Sequence, residues 1–200
     1  MKIKQQNINK SLLILLSLSF FVRAVLAMII EFGNDEVYYW TYAMYPDWSH
    51  FDHPPMVGWL IQLFSCNLLF DSEFFLRLSS IIFMTINTYL IFLIGKQVKN
   101  EQTGFYAALL YTASIYAFVI TGIFILPDTP LSIFTLLAVL QFVKYFQYEK
   151  NKHLLIAGLF TGLAMLSKYS GVFVWVGVGL YVIIYARKEF KNPFLYLSAL

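Results

Sequence analysis

Charged side chains are scarce in this sequence. Aspartate, glutamate, lysine and arginine make up 12% of its 200 residues, whereas roughly 25% is usual for a soluble domain. Hydrophobic residues reach 60% and aromatic residues 19%. The apolar residues fall in stretches close to the ~20 residues that cross a bilayer as a helix. The composition therefore excludes a water-soluble globule and indicates a multi-span membrane protein.

Other absences exclude further classes of protein. The single cysteine, Cys66, cannot form an intrachain disulfide, and it excludes a metal site built from several cysteines. The net charge of +3 is not gathered into a basic stripe or helix, so we expect no nucleic-acid partner. The sequence also has no glycine-rich phosphate loop, on either side of the membrane.

The apolar stretches predict six membrane spans in a single all-α membrane domain over residues 1–200. The first stretch lacks the cleavage site of a signal peptide, so we interpret it as an uncleaved anchor. A seventh stretch begins at residue 192, and because the chain stops within it we expect a truncated protein. The predicted spans are 11–30, 74–95, 104–126, 131–146, 154–167 and 171–186.

The apolar run at 56–70 decides the topology of everything after it. As a helix it would be only ~22 Å long, and Gly58, Gln62 and Ser65 form a stripe typical of a helix that lies along the membrane surface. With this run in plane, residues 31–73 form an outer loop, and eleven of fourteen lysines and arginines are cytoplasmic. A spanning run would leave five there, so the positive-inside rule favours the in-plane arrangement.

Two adjacent carboxylates, Asp35 and Glu36, follow the first span directly. They are candidate catalytic acids or bases, or else loop charges that cap the helix after them. The aromatic residues Tyr38, Tyr39 and Trp40 come next, and we interpret them as anchors at the lipid interface.

A second polar cluster occupies residues 47–55. His50, Asp52 and His53 supply imidazole and carboxylate groups, which are ligands suited to zinc or manganese. The alternative is a plain surface loop, because the paired prolines that follow dictate an extended exit from this segment.

Further charged residues lie near the predicted outer face. Asp128 precedes Pro130 at a helix start, where it either caps the helix or joins a site. Lys168 departs from the positive-inside trend and follows a predicted span of only ~21 Å. We expect it at or below the outer surface, as a site residue or one that extends to the interface. Arg23 and Arg77 are interpreted as structural residues that extend to the outer interface.

Carboxylates, histidines and a lysine thus gather on the face that has no ATP and no nucleotide sugars. An activated substrate would have to reach this face through the lipid. A polyprenyl phosphate that carries a sugar fits, because its tail occupies the bilayer, its phosphate needs a cation, and the acceptor hydroxyl needs a base.

Five short motifs support this interpretation. In order along the chain they resemble the bacterial glycosyltransferase families 39 and 83, which are related to the protein O-mannosyltransferases and to the lipid A aminoarabinose transferase. The resemblance implies a GT-C fold, with many spans, in-plane juxtamembrane helices in the first outer loop, and a polyprenyl-phosphate sugar donor. The motifs are NDEVYYW at 34–40, FDHPPM at 51–56, FLRL at 75–78, PDTPL at 127–131 and LSKYSG at 166–171.

The resemblance also implies roles for individual residues. Asp35 matches the base that deprotonates the acceptor, and Glu36 is the substitute candidate. Lys168 matches a lysine that contacts the lipid phosphate. His53 stands where the aminoarabinose transferase has a lysine that meets the donor phosphate, so it is assigned to the donor phosphate as well.

A divalent metal is the candidate cofactor that the resemblance adds. Asp52 matches an acidic residue that helps to bind such an ion in the aminoarabinose transferase. We assign Asp52 and His50 as candidate ligands, with zinc, manganese or magnesium as the ion.

The predicted function is that of an inverting glycosyltransferase of a bacterial cytoplasmic membrane, transferring a hexosyl or pentosyl group at the outer face. Its expected partners are a polyprenyl-phosphate-linked sugar, membrane lipid, and a glycan, lipid or protein acceptor. One alternative is a transporter or lipid flippase lined by Asp35, Asp128 and Lys168, but charges near mid-bilayer would then be expected. The other is an inactive fragment or membrane scaffold.

Overall fold

The computed structural model describes residues 5–200 and consists of helices joined by short loops, without a strand among these residues. Lys2 and Lys4, which contribute to the predicted charge asymmetry, lie outside the described residues. The α-helices are α1 Gln5–Ile29, α2 Asn34–Met44, α3 Met56–Phe64, α4 Glu73–Val98, α5 Glu101–Ala113, α6 Thr121–Ile123, α7 Asp128–Tyr148, α8 Asn151–Ser167, α9 Phe173–Tyr185 and α10 Pro193–Leu197.

Several of these helices are suited to crossing a membrane. The segment Asn7–Ile29 of α1, all of α4 and all of α7 are long and apolar enough to do so. The pair Glu101–Ala113 and Tyr116–Ile123 passes the same test together. An apolar helix at Tyr169–Tyr185 is shorter. The prediction of an all-α polytopic membrane fold is therefore confirmed.

A sharp bend interrupts the predicted span at 104–126. The two halves meet at 74°, because Ser114 takes an extended conformation and the next residues form a π-helical turn at Tyr116–Ile120. Arg23 Nε donates a hydrogen bond to the Phe118 carbonyl at 3.3 Å. A side-chain partner of this kind lets a broken helix persist inside a bundle.

Two antiparallel helix pairs form the frame of the molecule. In the α4–α5 pair, Gly95 and Gly104 allow close approach, since a Cβ on Gly95 would lie 2.7 Å from the Gly104 Cα. In the α7–α8 pair, Glu149 ends α7 with a left-handed conformation at φ 51°. Phe142 and Leu154 pack in the core between these helices and α9. The α7–α8 pair therefore brings the start of α7 next to the end of α8.

The bundle has one end rich in basic residues and one rich in acidic residues. At the basic end, Gln97 Nε2 donates to the Tyr148 hydroxyl at 2.6 Å, and Lys188 forms an ion pair with Glu149. The outer loop and the start of α7 lie at the opposite end. The acidic residues of that end are Glu31, Asp35, Glu36, Asp47, Asp52, Asp71, Glu73 and Asp128.

The outer loop contains α2 and α3, and both are too short to cross a hydrocarbon core of ~30 Å. Gly58 lets α3 approach α2, since a Cβ there would lie 2.8 Å from the Tyr42 Cβ. The helix α3 ends six residues before the predicted end of the in-plane run, because Cys66, Asn67 and Leu68 adopt left-handed backbone conformations. That α3 lies in the membrane plane stays a prediction.

Arg23 and Arg77 do not extend to the interface, so that prediction is wrong. Both side chains are fully buried. The guanidinium of Arg23 lies 4.8 Å from the centre of the Phe118 ring, and its two Nη atoms have no hydrogen-bond partner in the described part of the chain. Arg77 donates to the carbonyls of Ala27 and Glu31. Backbone carbonyls at helix breaks and ends hold both side chains inside the bundle.

Candidate active site

Lys168 and Asp128 form an ion pair where the end of α8 meets the start of α7. Lys168 Nζ lies 3.1 Å from Oδ1 and 2.9 Å from Oδ2 of Asp128. The hydroxyl of Tyr116, just after the bend, donates to Oδ1 at 3.0 Å. The two charged side chains are 32% and 24% exposed. Asp128 therefore pairs with the Lys168 ammonium and does not cap α7, whose N-cap residue is Pro127.

Carboxylates from three parts of the chain converge on Tyr39 of α2. The pKa of Tyr39 is raised to about 12, first by burial, then by the neighbouring Tyr42, and then by the carboxylates of Asp35, Asp128 and Asp52. Such charges act over short distances, because water and salt screen them. Charges from residues far apart in the chain thus act on one phenol, and we refer to Tyr39, Asp35, Asp52 and Asp128 as the cluster around Tyr39.

His53 reaches the same cluster from the loop before α3. Its pKa is lowered from 6.5, first by burial and then by the charge of Lys168. The ring centre of His53 lies 5.8 Å from that of Tyr39. Its Nδ1 is buried and has no hydrogen-bond partner among the described residues. The imidazole is therefore neutral at pH 7, so it can donate a hydrogen bond but does not supply a cation.

Asp52 and His50, the predicted metal ligands, are held by tyrosines of α2. The hydroxyl of Tyr38 donates to Asp52 Oδ2 at 2.9 Å. The His50 ring stacks on Tyr42, with ring centres 3.7 Å apart. Within residues 5–200 no three histidine, cysteine or carboxylate side chains form a group that suits a metal ion. Binding of a divalent metal by Asp52 and His50 stays a prediction.

Asp35 is exposed in the first turn of α2. It lines a pocket of about 510 Å³ between the end of α1, the start of α2 and residues 120–126. An exposed carboxylate beside a pocket can accept a proton from a bound hydroxyl group.

Glu36, the residue after Asp35, is a structural anchor. Its carboxylate accepts hydrogen bonds from Arg77 at 2.8 Å and 2.6 Å, and from the backbone amides of Gly33 and Ile125, each at 3.1 Å. The side chain is buried. Both of its oxygens are thus occupied, which leaves Asp35 as the candidate base.

Three tyrosines join the site without having been predicted as functional residues. Tyr38 binds Asp52, Tyr39 lies among the carboxylates, and Tyr116 binds Asp128. Tyr38 and Tyr42, which contact Asp52 and His50, are four residues apart and therefore share one face of α2. That spacing could have indicated from the sequence that the two tyrosines act together. Tyr116 has no such signal, because its contact depends on the bend after α5.

Comparison with known proteins identifies the family of this chain. The family described as dolichyl-phosphate-mannose-protein mannosyltransferase matches residues 52–200, a range that includes His53, Asp128 and Lys168 but not Asp35. The lipid A galacturonosyltransferase RgtD of Rhizobium johnstonii is 28% identical over 148 residues, which are 74% of this chain and 31% of that protein. The chain thus spans about a third of this relative. No solved structure matches it significantly.

The family match covers about three quarters of the chain, and the structure adds the apolar spans that a membrane enzyme of this kind requires. The flippase and scaffold alternatives have no comparable support. The predicted resemblance is confirmed, and the chain belongs to the dolichyl-phosphate-mannose-protein mannosyltransferase family of GT-C membrane glycosyltransferases.

Proposed function

We propose that the protein transfers a sugar from a polyprenyl phosphate to an acceptor hydroxyl at the outer face of a bacterial cytoplasmic membrane. The observation that carries this proposal is the partly exposed Lys168–Asp128 ion pair at the same end of the bundle as the exposed carboxylate of Asp35. The reaction needs a cation for the phosphate and a base for the hydroxyl. The family is named for a dolichyl-phosphate-mannose donor, and the relative is named for action on lipid A.

Lys168 is the residue that we assign to the donor phosphate. Arg23 and Arg77 lie in the same half of the bundle, but both are buried and Arg77 already binds Glu36. The Lys168 ammonium is partly exposed and is held by Asp128. A phosphate oxygen takes a further N–H donor of this ammonium while Asp128 keeps it oriented. His53 adds a neutral hydrogen-bond donor beside it.

A groove beside Lys168 is suited to the polyprenyl tail. It measures about 700 Å³, runs between α7 and α9, and is lined mainly by apolar side chains. Ser170, two residues after Lys168, lies at one end of it and Tyr181 at the other. A phosphate bound at Lys168 would therefore lie at the mouth of an apolar channel that faces the bilayer.

The proposed reaction is a direct displacement. Asp35 accepts the proton of the acceptor hydroxyl, and the acceptor oxygen forms a bond to the anomeric carbon of the sugar. The bond from that carbon to the phosphate oxygen breaks, and the electron pair leaves with the polyprenyl phosphate, whose charge Lys168 stabilises. Attack from the side opposite to the phosphate inverts the anomeric configuration.

The assignment to the outer face depends on charge. Nine of the eleven basic residues assigned to the cytoplasmic side lie within the described part of the chain, in segments at the end opposite to the cluster. Loops rich in lysine and arginine usually remain in the cytoplasm, which supports an outer position for Asp35 and Lys168.

The test is a transfer assay with the intact protein in proteoliposomes. We expect product with a sugar linked to a polyprenyl phosphate and none with the same sugar linked to a nucleotide. The anomeric configuration of the product, read by NMR, is expected to be opposite to that of the donor. Equal use of the nucleotide sugar, or retention of configuration, would overturn the proposal.

A further inference from the structure

The pocket beside Asp35 combines an apolar wall with a polar floor. Its apolar lining comes from Ile30 at the end of α1 and from Ile120, Phe124 and Leu126 around α6. Its polar lining includes Asn34 and Asp35. Ile120 is 37% exposed on the outside of the bundle. Because α1 and the α5–α6 pair are candidate spans, this wall of the pocket belongs to the bilayer side of the molecule.

The charge of this pocket differs from that of the Lys168 cluster. Glu31, Asp35 and Glu36 line it, and no lysine or arginine does among the described residues. The nearby cation Arg77 is fully buried and is paired with Glu36. Two carboxylates without a facing cation repel an anion and tolerate a neutral or cationic group.

Tyr39 is close to both regions. It lies four residues after Asp35 on α2, so the two side chains share one face of that helix. Its ring centre lies 5.8 Å from that of His53, whose pKa is lowered in part by the charge of Lys168. An acceptor in the pocket and a donor at Lys168 would therefore both lie near this side chain.

We infer that the pocket beside Asp35 is the acceptor subsite and that it takes a membrane-borne lipid whose reacting headgroup is an uncharged sugar or alcohol. The lipid enters between α1 and the bent α5–α6 pair, with its apolar part against Ile120 and Leu126. Its hydroxyl reaches Asp35, while the anionic donor is confined to the Lys168 side. This inference rests on the proposed function, since it names the second substrate of the same site.

The experiment measures binding and needs no knowledge of the natural acceptor. The intact protein in proteoliposomes is labelled with a dodecyl glucoside that carries a photoreactive diazirine in its alkyl chain, and the labelled peptides are mapped by mass spectrometry. Three unlabelled competitors are compared: dodecyl glucoside, methyl glucoside, which lacks the tail, and dodecyl phosphate, which has the same tail with an anionic head.

We expect saturable labelling of the segment 120–126 that dodecyl glucoside suppresses and the other two competitors leave in place. In the Ile120→Trp variant the larger side chain fills the pocket, so labelling should fall by about tenfold. The matched control is Leu110→Trp, because Leu110 is exposed on α5 of the same bent pair and does not line the pocket.

Competition by dodecyl phosphate as strong as that by dodecyl glucoside would overturn the charge argument. Equal competition by methyl glucoside would overturn the inference that the acceptor is a membrane-borne lipid. Both results come from the wild-type protein, so they hold even if Ile120→Trp does not fold. Binding of a polyprenyl phosphate is measured in parallel with Lys168→Met. If the wild-type protein does not bind the polyprenyl phosphate, or if Lys168→Met binds it as well as wild type, while glucoside labelling is intact, the proposed function is contradicted but the pocket is not.

Discussion

The carboxylate of Glu36 and the guanidinium of Arg77 form a buried ion pair, with 2.6 Å between Oε2 and Nη2. Arg77 also donates to the carbonyl of Ala27 in α1, and Glu36 accepts from the amide of Ile125. Two side chains thus connect α1, α2, α4 and the segment before α7. Because Asp35 is the neighbour of Glu36 in the chain, this pair also positions the candidate base.

Arg77→Met is expected to destabilise the protein strongly. Removal of one partner leaves the other charge buried and uncompensated, which costs about 3–5 kcal/mol of unfolding free energy. The measurement is equilibrium unfolding of the purified protein, together with its steady-state level in membranes.

Glu73→Gln is the matched control for Arg77→Met. Glu73 also contacts Arg77, at 3.7 Å, but its side chain is 42% exposed. Exposed pairs contribute about 0–1 kcal/mol, so this variant should be close to wild type. Equal destabilisation by the two variants would contradict the anchoring role of Glu36.

Asp35→Asn is expected to lower the rate of transfer by about 10²- to 10⁴-fold, because the amide cannot accept the acceptor proton. Donor binding and membrane levels should stay at wild-type values. The control is Asp47→Asn, an exposed carboxylate of the same loop that does not contribute to the cluster around Tyr39. Near-wild-type transfer by Asp35→Asn would remove this residue from the mechanism.

Lys168→Met is expected to weaken the binding of a polyprenyl phosphate by about ten- to a hundredfold, the usual effect of losing a charge-assisted contact. Lys188→Met is the comparison, since Lys188 is also paired with a carboxylate but lies at the basic end. Binding is measured by titration with the labelled lipid. If both variants bind the lipid equally well, Lys168 is not the phosphate contact.

We expect the protein to become less stable as the pH is lowered, partly because of His53. Its pKa in the folded state lies below 6.5, so the unfolded chain binds more protons as the pH drops through that value. The stabilisation due to neutral His53 is present above pH 6.5 and is lost below it. Thermal unfolding between about pH 7.5 and 5.5 should show a smaller loss for His53→Gln than for wild type. Identical pH curves would contradict the burial of this imidazole.

The orientation of the membrane domain is tested by cysteine labelling. In a Cys66→Ala background, Asp47→Cys should react with an impermeant reagent added outside, and Lys150→Cys should react only after the cytoplasmic face is opened. Labelling of Lys150→Cys from outside would overturn both the in-plane assignment of residues 56–70 and the outer position of the site.

Much of the site was predictable because its signals are local. The motif at 34–40 put Asp35 just after a span, and Lys168 stood out as a lysine on the acidic side after a short apolar segment. The antiparallel arrangement of predicted spans also required Asp128 and Lys168 to lie at the same end. Hydrophobic periodicity and composition depend on residues that are near one another in the chain. Helix formation and membrane insertion are controlled by the same neighbouring residues, so the sequence predicts both.

The sequence by itself therefore determined the membrane class, the family and the gathering of acidic residues at one end of the spans. Only the tertiary structure decided which of two adjacent carboxylates is available. Arg77 lies 41 positions after Glu36 in the chain, and its choice of partner depends on how α2 and α4 pack. The same holds for Tyr116, which reaches Asp128 only because the helix after α5 bends. A charge buried in a low-dielectric interior must find its partner in space, and chain order does not reveal that partner.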